Sequence, residues 1–324
     1  MLVELPRSPH PTAAETSAPA PVSVDLLILG AGWTSTFLIP LLEREGISYA
    51  ATTRDGRDST IPFTFDPESE DHAPYAALPR ATTVLITFPL RGEGQSRRLT
   101  SLYNDTHFDA AERAHPRARW IQLGVTSIWN VVPGWQTEDS PYDTTNPRAI
   151  AEDELLSCTE PADGEKSDSE GGGATVLDLS GLWGGTRQPR HWTDRVARTK
   201  AELRARGPLH MIHGGDVARA IVAAHRRFAA VRARHWILCD LHVYDWWELV
   251  REWAAEGVRR EEDGENVEEE ESTKWRQLLV WVHELMLEDD VRALPREPSS
   301  LQRTLDGRAF WKAAGIWPTQ GRVR

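Results

Sequence analysis

The length, composition and charge of the chain exclude several broad classes of protein. Its 324 residues suffice for one large domain or two modest ones, with ample interior for a core. Hydrophobic residues make up 40 % of the sequence and charged residues 27 %, which excludes a wholly disordered or collagen-like chain. The two cysteines, Cys158 and Cys239, are too few for a disulfide scaffold or a cysteine-held metal cluster.

Two short segments carry most of the negative charge. The net charge is −12, yet residues 261–271 alone hold eight acids and no base, and residues 160–173 hold five acids and one lysine. The rest of the chain is therefore close to neutral, which argues against a nucleic-acid partner. We interpret both segments as solvated loops. We expect deletion of residues 261–271 to leave folding and cofactor affinity nearly unchanged.

No segment of the sequence is typical of targeting or of a membrane span. Residues 1–22 are rich in Pro, Ala, Ser and Thr without an apolar core, so we interpret them as a disordered arm. The run 24–42 approaches the length of a span, but Asp25, two glycines and a Thr-Ser-Thr sequence favour a turn within it. We expect a soluble, cytoplasmic protein with no membrane partner.

The predicted elements alternate between strands and helices. Residues 24–29 form an apolar run ending in glycine, typical of a buried parallel strand, and helical spacing of leucines follows as far as Gly46. Further strands are predicted over residues 48–53, 82–87, 119–124, 175–180 and 235–240, with a weaker candidate over 63–65. Further helices are predicted from Asn146 to about Cys158, from Gly215, over 244–255, and along the apolar stripe from Trp275 to Leu285.

This alternation predicts an α/β fold with a doubly wound parallel Rossmann sheet. We place a dinucleotide-binding core at residues 23–180. Residues 181–324 are predicted to form a smaller C-terminal substrate lobe that returns one late strand, near 235–240, to the sheet. The ligand site is expected at the carboxyl ends of the strands.

The sharpest local signal follows the first strand, where the sequence is Gly30-Ala31-Gly32-Trp33-Thr34-Ser35. Glycines at such a turn let the backbone approach a pyrophosphate, and the next helix offers N–H donors to it. Ser35 replaces the third glycine of the usual fingerprint. A simple strand-to-helix turn is the alternative, but the position between strand and helix favours nucleotide binding.

The end of the second strand indicates which dinucleotide is bound. The strand ends in Thr52-Thr53-Arg54, where sites for NAD commonly have an acid. A hydroxyl followed by arginine suits the 2′-phosphate of NADP(H). Asp55, one residue later, leaves NAD(H) open, and Arg54 as an ordinary surface residue is the alternative.

Several segments, in this order along the chain, resemble the extended and atypical short-chain dehydrogenase/reductases, which include the NAD-dependent epimerase/dehydratase-like proteins. The similar segments are Gly30-Ala31-Gly32, Thr126-Ser127-Ile128-Trp129-Asn130, Trp135 to Pro141, Ala151 to Leu156, Leu179 to Gly184 and Ile212 to Ala218. The resemblance spans residues 24–256 and implies a Rossmann fold that binds NAD(P). It also implies an oxidoreductase or epimerase that acts on a small molecule.

The chain departs from this family at the catalytic pair, Tyr-x-x-x-Lys. None of its five tyrosines has a lysine four residues on. By the resemblance, Thr144 stands at the tyrosine position and Arg148 at the lysine position, where Arg148 could hold a ribose or a phosphate. Thr126, Ser127 and Tyr142 are the nearest candidate catalytic groups. A strand-end hydrogen bond to backbone is the alternative for Thr126 and Ser127.

Aromatic residues in the predicted loops are candidates for a substrate pocket. We expect Trp129, Trp183, His191 and Trp192 to surround the cofactor face, although packing between the two lobes is an equal alternative. No zinc-hydrolase or serine-hydrolase motif occurs, so no metal is expected.

The sequence thus leaves two classes of function open. The first is an NADP-dependent oxidoreductase or epimerase with a rearranged acid–base set. The second is a catalytically inactive nucleotide-binding sensor or interaction protein. In both, the expected partners are a small-molecule substrate or the nucleotide alone, and the sequence predicts no oligomeric state.

Overall fold

The computed structural model describes residues 23–108, 117–129, 132–160, 172–266, 268–298 and 303–323. The predicted disordered arm, residues 1–22, lies outside the described residues. So do residues 161–171, which make up most of the first acidic segment.

A seven-stranded parallel sheet forms the centre of the molecule, in the order β11-β7-β5-β4-β1-β2-β3. The strands of the described residues are β1 (Ser23–Leu29), β2 (Tyr49–Thr53), β3 (Ile61–Pro62), β4 (Arg80–Ile86), β5 (Arg119–Val125), β6 (Gly134–Gln136), β7 (Ala174–Leu179), β8 (Gly181–Trp183), β9 (Pro208–Leu209), β10 (Met211–His213), β11 (His235–Leu238), β12 (Tyr244–Asp245) and β13 (Arg303–Leu305). The strand order reverses between β1 and β4, which makes their carboxyl ends the expected ligand crevice. The predicted doubly wound α/β fold is confirmed.

Helices cover both faces of this sheet. The helices of the described residues are α1 (Ser35–Glu45), α2 (Ala73–Ala76), α3 (Gln95–His107), α4 (Pro147–Thr159), α5 (Thr193–Val196), α6 (Lys200–Arg204), α7 (Gly214–Arg226), α8 (Phe228–Val231), α9 (Trp246–Glu262), α10 (Glu269–Glu288) and α11 (Arg308–Ala314). One core cluster joins the sheet to α1, α7 and α11, and a second joins it to α2, α3 and α4. The strands are buried on both sides, which explains their continuous apolar sequence.

The helix ends follow the expected local chemistry. Gly46 adopts the left-handed conformation that ends α1, with φ of 64°. The Asn146 side chain accepts a hydrogen bond from the Arg148 N–H, so it caps α4 as predicted. The predicted strands over residues 24–29, 48–53, 82–87, 119–124, 175–180 and 235–240 each differ from the observed strand by one or two residues at an end.

The smaller lobe is built around α9 and α10, which pack against each other. Its core includes Trp247, Trp253 and Trp275. Gly257 of α9 lets the Trp275 ring approach, because a Cβ at Gly257 would lie 2.5 Å from a ring atom. The lobe therefore depends on close contact between these two helices.

The second acidic segment differs from its prediction as a loop. Helix α9 continues to Glu262 and α10 begins at Glu269, so much of residues 261–271 is helical. The Glu261 carboxylate accepts hydrogen bonds from Arg276 at 2.9 Å and from the Ser272 hydroxyl. Charge pattern alone misses this, because it does not reveal pairing between helices.

Two other elements are shifted from their predicted ranges. The short strand beside β2 is Ile61–Pro62 and not residues 63–65. The helix predicted over 244–255 begins at Trp246, after Tyr244–Asp245 pairs with β9 as a strand. Asp245 caps this helix by accepting from the Trp247 N–H, which explains the later start.

Residues past the predicted boundary at 180 contribute much of the core against the sheet. Helices α7 and α11 pack on it, and β11 forms its edge. The buried Asp216 carboxylate of α7 accepts hydrogen bonds from the backbone N–H groups of Thr319 and Gln320. None of the helices in the described part of the chain has both the length and the apolar content that crossing a bilayer requires.

Candidate functional site

Hydrogen bonds to residues at the ends of the neighbouring strands fix the conformation of the turn after β1. Gly30 has φ of 93°, and its N–H donates to the Thr52 hydroxyl at 2.9 Å. The Thr87 hydroxyl donates to the Gly30 carbonyl oxygen at 2.5 Å. A Cβ at Gly30 would lie 2.8 Å from the Thr87 oxygen, so both conformation and space require glycine here.

The first turn of α1 is open to an anion. Thr34 precedes the helix without a side-chain cap, and no acidic residue lies in the first turn. The buried Ser35 hydroxyl has no hydrogen-bond partner among the described residues. A Cβ at Gly32 would meet no atom within 4 Å, so the space over this turn is free. The Gly32 and Ser35 N–H groups already donate to the Gly30 and Gly32 carbonyls, so the turn offers a phosphate group the Ser35 hydroxyl and the positive end of the helix.

A cavity of about 810 Å³ lies on the β2 side of the turn, and we call it the outer cavity. Its lining includes Thr52, Thr53 and Arg54 from the end of β2, and also Arg57 and Arg91. Arg57 pairs with Asp55 at 3.1 Å. The exposed guanidinium of Arg54 has no hydrogen bond or ion pair to the residues that the structure describes.

The outer cavity also has aromatic walls. Phe65 and Phe88 line it with ring centroids 6.1 Å apart and planes inclined by 20°. Sequence reasoning missed these rings and Arg91, because they come from loops after β3 and β4. Only the sheet order brings these loops beside Arg54.

A second cavity, of about 700 Å³, lies at the carboxyl ends of β5 and β7, and we call it the inner cavity. Gly32 and Thr87 line both cavities, so the two form one groove across the nucleotide turn. The lining of the inner cavity is Gly32, Trp33, Thr34, Thr87, Leu123, Gly124, Val125, Arg148, Leu179, Ser180, Leu182, Arg187, Trp192 and Arg195.

Arg148 and Ser180 are the polar groups that reach the inner cavity from the sheet side. One Arg148 nitrogen donates to the Leu123 carbonyl at 2.8 Å and to Glu152 at 3.0 Å. Its buried Nε has no partner in the described part of the chain, and neither has the buried Ser180 hydroxyl. Sequence reasoning missed Ser180, although its place directly after β7 was a usable signal.

The predicted catalytic residues are not among the groups that line the inner cavity. The buried Thr126 hydroxyl donates to the Leu179 carbonyl at 3.4 Å, and Ser127 is exposed. The Tyr142 hydroxyl donates to Asp153 at 2.7 Å. Burial, then the bond to Asp153, raises the pKa of Tyr142 well above its usual range. None of Thr126, Ser127 and Tyr142 lines the outer or the inner cavity.

Tyr142 belongs instead to a network that we call the acid–histidine cluster: Tyr142, Glu152, Asp153, Asp178 and His235. The two ring nitrogens of His235 lie 2.8 Å from Asp178 and 3.1 Å from Asp153. Burial lowers the pKa of His235, but these two carboxylates outweigh burial and raise it to about 10. His235 is therefore an imidazolium between two carboxylates.

The acid–histidine cluster contains more carboxyl groups than the basic side chains of the described residues can pair with. Burial, then the charge of Asp178, raises the pKa of Glu152 to about 8. Ligand atoms of Glu152, Asp178 and His235 lie within 4.8 Å of one another, a spacing that a metal ion could also occupy. Both nitrogens of the His235 ring already contact carboxylates, however, so we describe the group as an ion-paired, proton-holding cluster.

The four residues predicted to form a substrate pocket do not lie together in the structure. Trp129 is fully buried in a core cluster with Ile128 and Ile237, and it does not line the inner cavity. Trp183 is partly buried, with its ring centroid 4.7 Å from that of His213. Trp192 does line the inner cavity. His191 lines a separate cavity, of about 540 Å³, between the segment 190–194, the second half of α9 and the start of α10.

No protein-family model matches the chain, and no curated protein sequence matches it. Solved structures do match over nearly the whole length. Vestitone reductase from alfalfa is 14 % identical, covers 92 % of this chain and 94 % of its own, and has a TM-score of 0.55. A functionally unknown conserved protein from Silicibacter pomeroyi is 17 % identical, with coverages of 93 % and 95 % and a TM-score of 0.54.

A human epimerase family protein solved with NADPH is also similar in structure. It is 14 % identical, with coverages of 92 % and 96 % and a TM-score of 0.51. The chain therefore shares the fold of the short-chain reductases and epimerases, as the resemblance implied. The fold places a nucleotide at the turn after β1 in such sheets.

Proposed function

We propose that this protein binds NADP(H) along the groove that the outer and inner cavities form. The observation that carries the proposal is the unpaired guanidinium of Arg54 in the outer cavity, beside a nucleotide turn with space over it. The human epimerase family protein of the same fold was solved with NADPH, which supports a nicotinamide cofactor.

Each part of the groove suits one part of this cofactor. Arg54 and Thr53 would hold the 2′-phosphate, and the rings of Phe65 and Phe88 would contact the adenine. The first turn of α1 and the Ser35 hydroxyl would bind the pyrophosphate, which would pass through the free space at Gly32. Ser180 and Arg148 would lie at the nicotinamide end, in the inner cavity. When bound, the nicotinamide would accept or supply a hydride there.

The first prediction concerns the choice between NADP(H) and NAD(H). We expect Arg54→Ala to lower NADPH affinity about tenfold or more, because it removes a charge-assisted contact to the 2′-phosphate. NADH affinity should change little. Isothermal titration with both cofactors measures this directly.

Arg44→Ala is the matched control for that experiment. Arg44 is an exposed arginine in the last turn of α1 and lines neither the outer nor the inner cavity. Equal affinities for NADPH and NADH in the wild-type protein would contradict the preference. An unchanged NADPH affinity in Arg54→Ala would contradict the role of this residue.

We infer that sensing or ligand binding, without turnover, is the better supported use of the cofactor. Among the described residues that line the inner cavity there is no Tyr, His, Lys, Asp or Glu. Hydride transfer to a carbonyl leaves an alkoxide that needs a proton, and a group with a pKa near the working pH supplies it best. The groups there are hydroxyls, indoles and guanidiniums.

An oxidoreductase or epimerase that acts on a small molecule is the second candidate function. The observation that favours it is the pair of unpartnered groups, the Ser180 hydroxyl and Arg148 Nε, in the inner cavity. A hydroxyl and a guanidinium could stabilise an alkoxide by hydrogen bonding and charge. A carbonyl-substrate screen that follows NADPH absorbance tests this, and turnover that Ser180→Ala removes would favour this candidate over sensing.

A further inference from the structure

The inner cavity has a strongly positive lining. Arg148, Arg187 and Arg195 all line it, and no carboxylate does so among the described residues. The Arg148 guanidinium is already engaged, because it donates to Glu152 and to the Leu123 carbonyl. Arg187 and Arg195 are exposed, and their guanidiniums have no ion pair or hydrogen bond to the residues that the structure describes.

Each of these two arginines lies against an indole that also lines the inner cavity. The Arg187 guanidinium carbon is 4.4 Å from the centroid of the Trp33 ring, and that of Arg195 is 5.8 Å from the Trp192 ring. An aromatic ring under a guanidinium restrains it and leaves its N–H groups free along the edge. The restraint lowers the entropy cost of binding an anion.

The indoles are in turn held by their surroundings. Trp33 makes an edge-to-face contact with Phe37 of α1, with ring centroids 5.0 Å apart. Trp192 ends the short 3₁₀ turn that begins at Pro189 and packs against the core of the smaller lobe. The cationic groups therefore come from the segment between β8 and α6, and their supports come from both lobes.

We propose that the inner cavity binds a small organic anion, a carboxylate or a phosphate ester, through Arg187 and Arg195. The proposal rests on the proposed function only in placing this anion beside the nicotinamide end of the groove. Guanidinium groups bind the two oxygens of a carboxylate or phosphate in parallel, and two such groups give both affinity and orientation. Neutral ketones and sugars lack the charge that this lining would compensate.

The test titrates the NADPH-saturated protein with oxalate, inorganic phosphate and the neutral diamide oxamide. We expect the anions to bind and oxamide not to bind. Binding of oxalate without binding of phosphate would assign the site to carboxylates, and binding of phosphate without binding of oxalate would assign it to phosphate esters.

The double variant Arg187→Gln/Arg195→Gln should lose at least tenfold in affinity for the anion that binds. The double lysine variant should recover part of that loss, because charge remains without the fork of donors.

Arg190→Gln is the matched control, because Arg190 is an exposed arginine of the same segment that lines the separate cavity beside α10. It should change anion affinity by less than twofold. Failure of both anions to bind, or equal loss in Arg190→Gln, would overturn the proposal.

NADPH affinity is measured for every variant, which separates the anion site from the cofactor site. Loss of NADPH affinity in the Arg187 and Arg195 variants, with anion binding retained, would assign these arginines to the cofactor phosphates and overturn the proposal. If the wild-type protein binds oxalate or phosphate but no NADPH, and the double variant loses the anion, the anion site stands and the proposed function fails.

Discussion

At the scale of single residues, the two glycines of the nucleotide turn have different structural roles. Gly30 needs its positive φ, and a Cβ there would crowd the Thr87 hydroxyl. Gly32 has neither constraint, since a Cβ there would meet no atom within 4 Å. The sequence shows both simply as glycine. The structure separates a folding requirement from a binding requirement.

Gly30→Ala should therefore destabilise the fold, whereas Gly32→Ala should weaken cofactor binding. We expect Gly30→Ala to cost about 1–2 kcal/mol or more of unfolding free energy, because an L-residue is strained at positive φ. Gly32→Ala should leave the melting temperature nearly unchanged but lower NADPH affinity, because its methyl group would occupy the nucleotide path. Thermal unfolding and NADPH titration of both variants test this. A stable Gly30→Ala protein would contradict the assignment.

The acid–histidine cluster makes stability depend on pH. The pKa of His235 is about 10 in the folded chain against 6.5 ordinarily, so its stabilising contribution is complete below pH 6.5 and is lost towards pH 10. The pKa of Glu152 is about 8 in the folded chain against 4.5 ordinarily. Between pH 4.5 and 8, therefore, folding is also accompanied by binding of a proton at Glu152. Both groups therefore lower the free energy of unfolding as the pH rises.

We therefore expect the free energy of unfolding to fall as the pH rises from about 6.5 to 10. Urea unfolding at a series of pH values measures it. Glu152→Gln should reduce the slope below pH 8 only, whereas His235→Gln should reduce the slope over the whole range from about pH 6.5 to 10. His283→Gln, at an exposed position on α10, is the matched control and should keep the wild-type slope. A wild-type curve that rises with pH would contradict the charge states described above.

At the scale of elements, the sequence predicts what local pattern encodes. Buried parallel strands have continuous apolar sequences, so the predicted strands of the main sheet, except the short β3, end within one or two residues of the observed ones. The acid–histidine cluster could not be predicted in this way. Asp178 and His235 are 57 residues apart and meet only because β7 pairs with β11. Likewise, no local sequence pattern predicts that the Tyr142 hydroxyl donates a hydrogen bond to Asp153.

The acidic segment illustrates the same limit, and the structure reverses the prediction made for it. Deleting residues 261–271 would remove the last two residues of α9, the first three residues of α10 and the Glu261–Arg276 ion pair. We expect this deletion to lower the melting temperature clearly. Replacing only 263–268 by a glycine–serine linker should not, because both helices remain.

Cofactor affinity provides the second readout of that experiment. The outer and inner cavities contain no residue of α9 or α10, so the NADPH affinity of any folded deletion variant should stay near that of the wild type. An unchanged melting temperature after the full deletion would restore the interpretation of the segment as a dispensable loop.

At the scale of the whole molecule, the two predicted domains share one core. Helix α7 buries Val217, Ile221 and Ala224 in the same cluster as Leu26 and Ile28 of β1. A chain of residues 23–180 would keep α1 on that face of the sheet but would expose the part that α7 covers. Burial of such side chains stabilises a fold by about 1.5–3 kcal/mol each, so the loss is large compared with ordinary stability.

We accordingly expect residues 23–180 alone to remain unfolded or aggregate, and residues 23–240, which retain α7 and β11, to be more ordered. Circular dichroism and the soluble yield of both fragments measure this. A folded, NADPH-binding fragment 23–180 would contradict it and would support an independent core.

The dependence of β7 on β11, and of Asp216 on residues 319–320, has a consequence during synthesis on the ribosome. Chains emerge amino end first, so β7 leaves the exit tunnel well before the strand that completes its edge. Asp216 emerges about a hundred residues before the amides that satisfy its carboxylate. The nascent chain must therefore hold an open sheet edge until residues 235–238 emerge, and a carboxylate without its backbone donors until residues 319–320 emerge. Chaperones that shield exposed strands would have most to contribute in that interval.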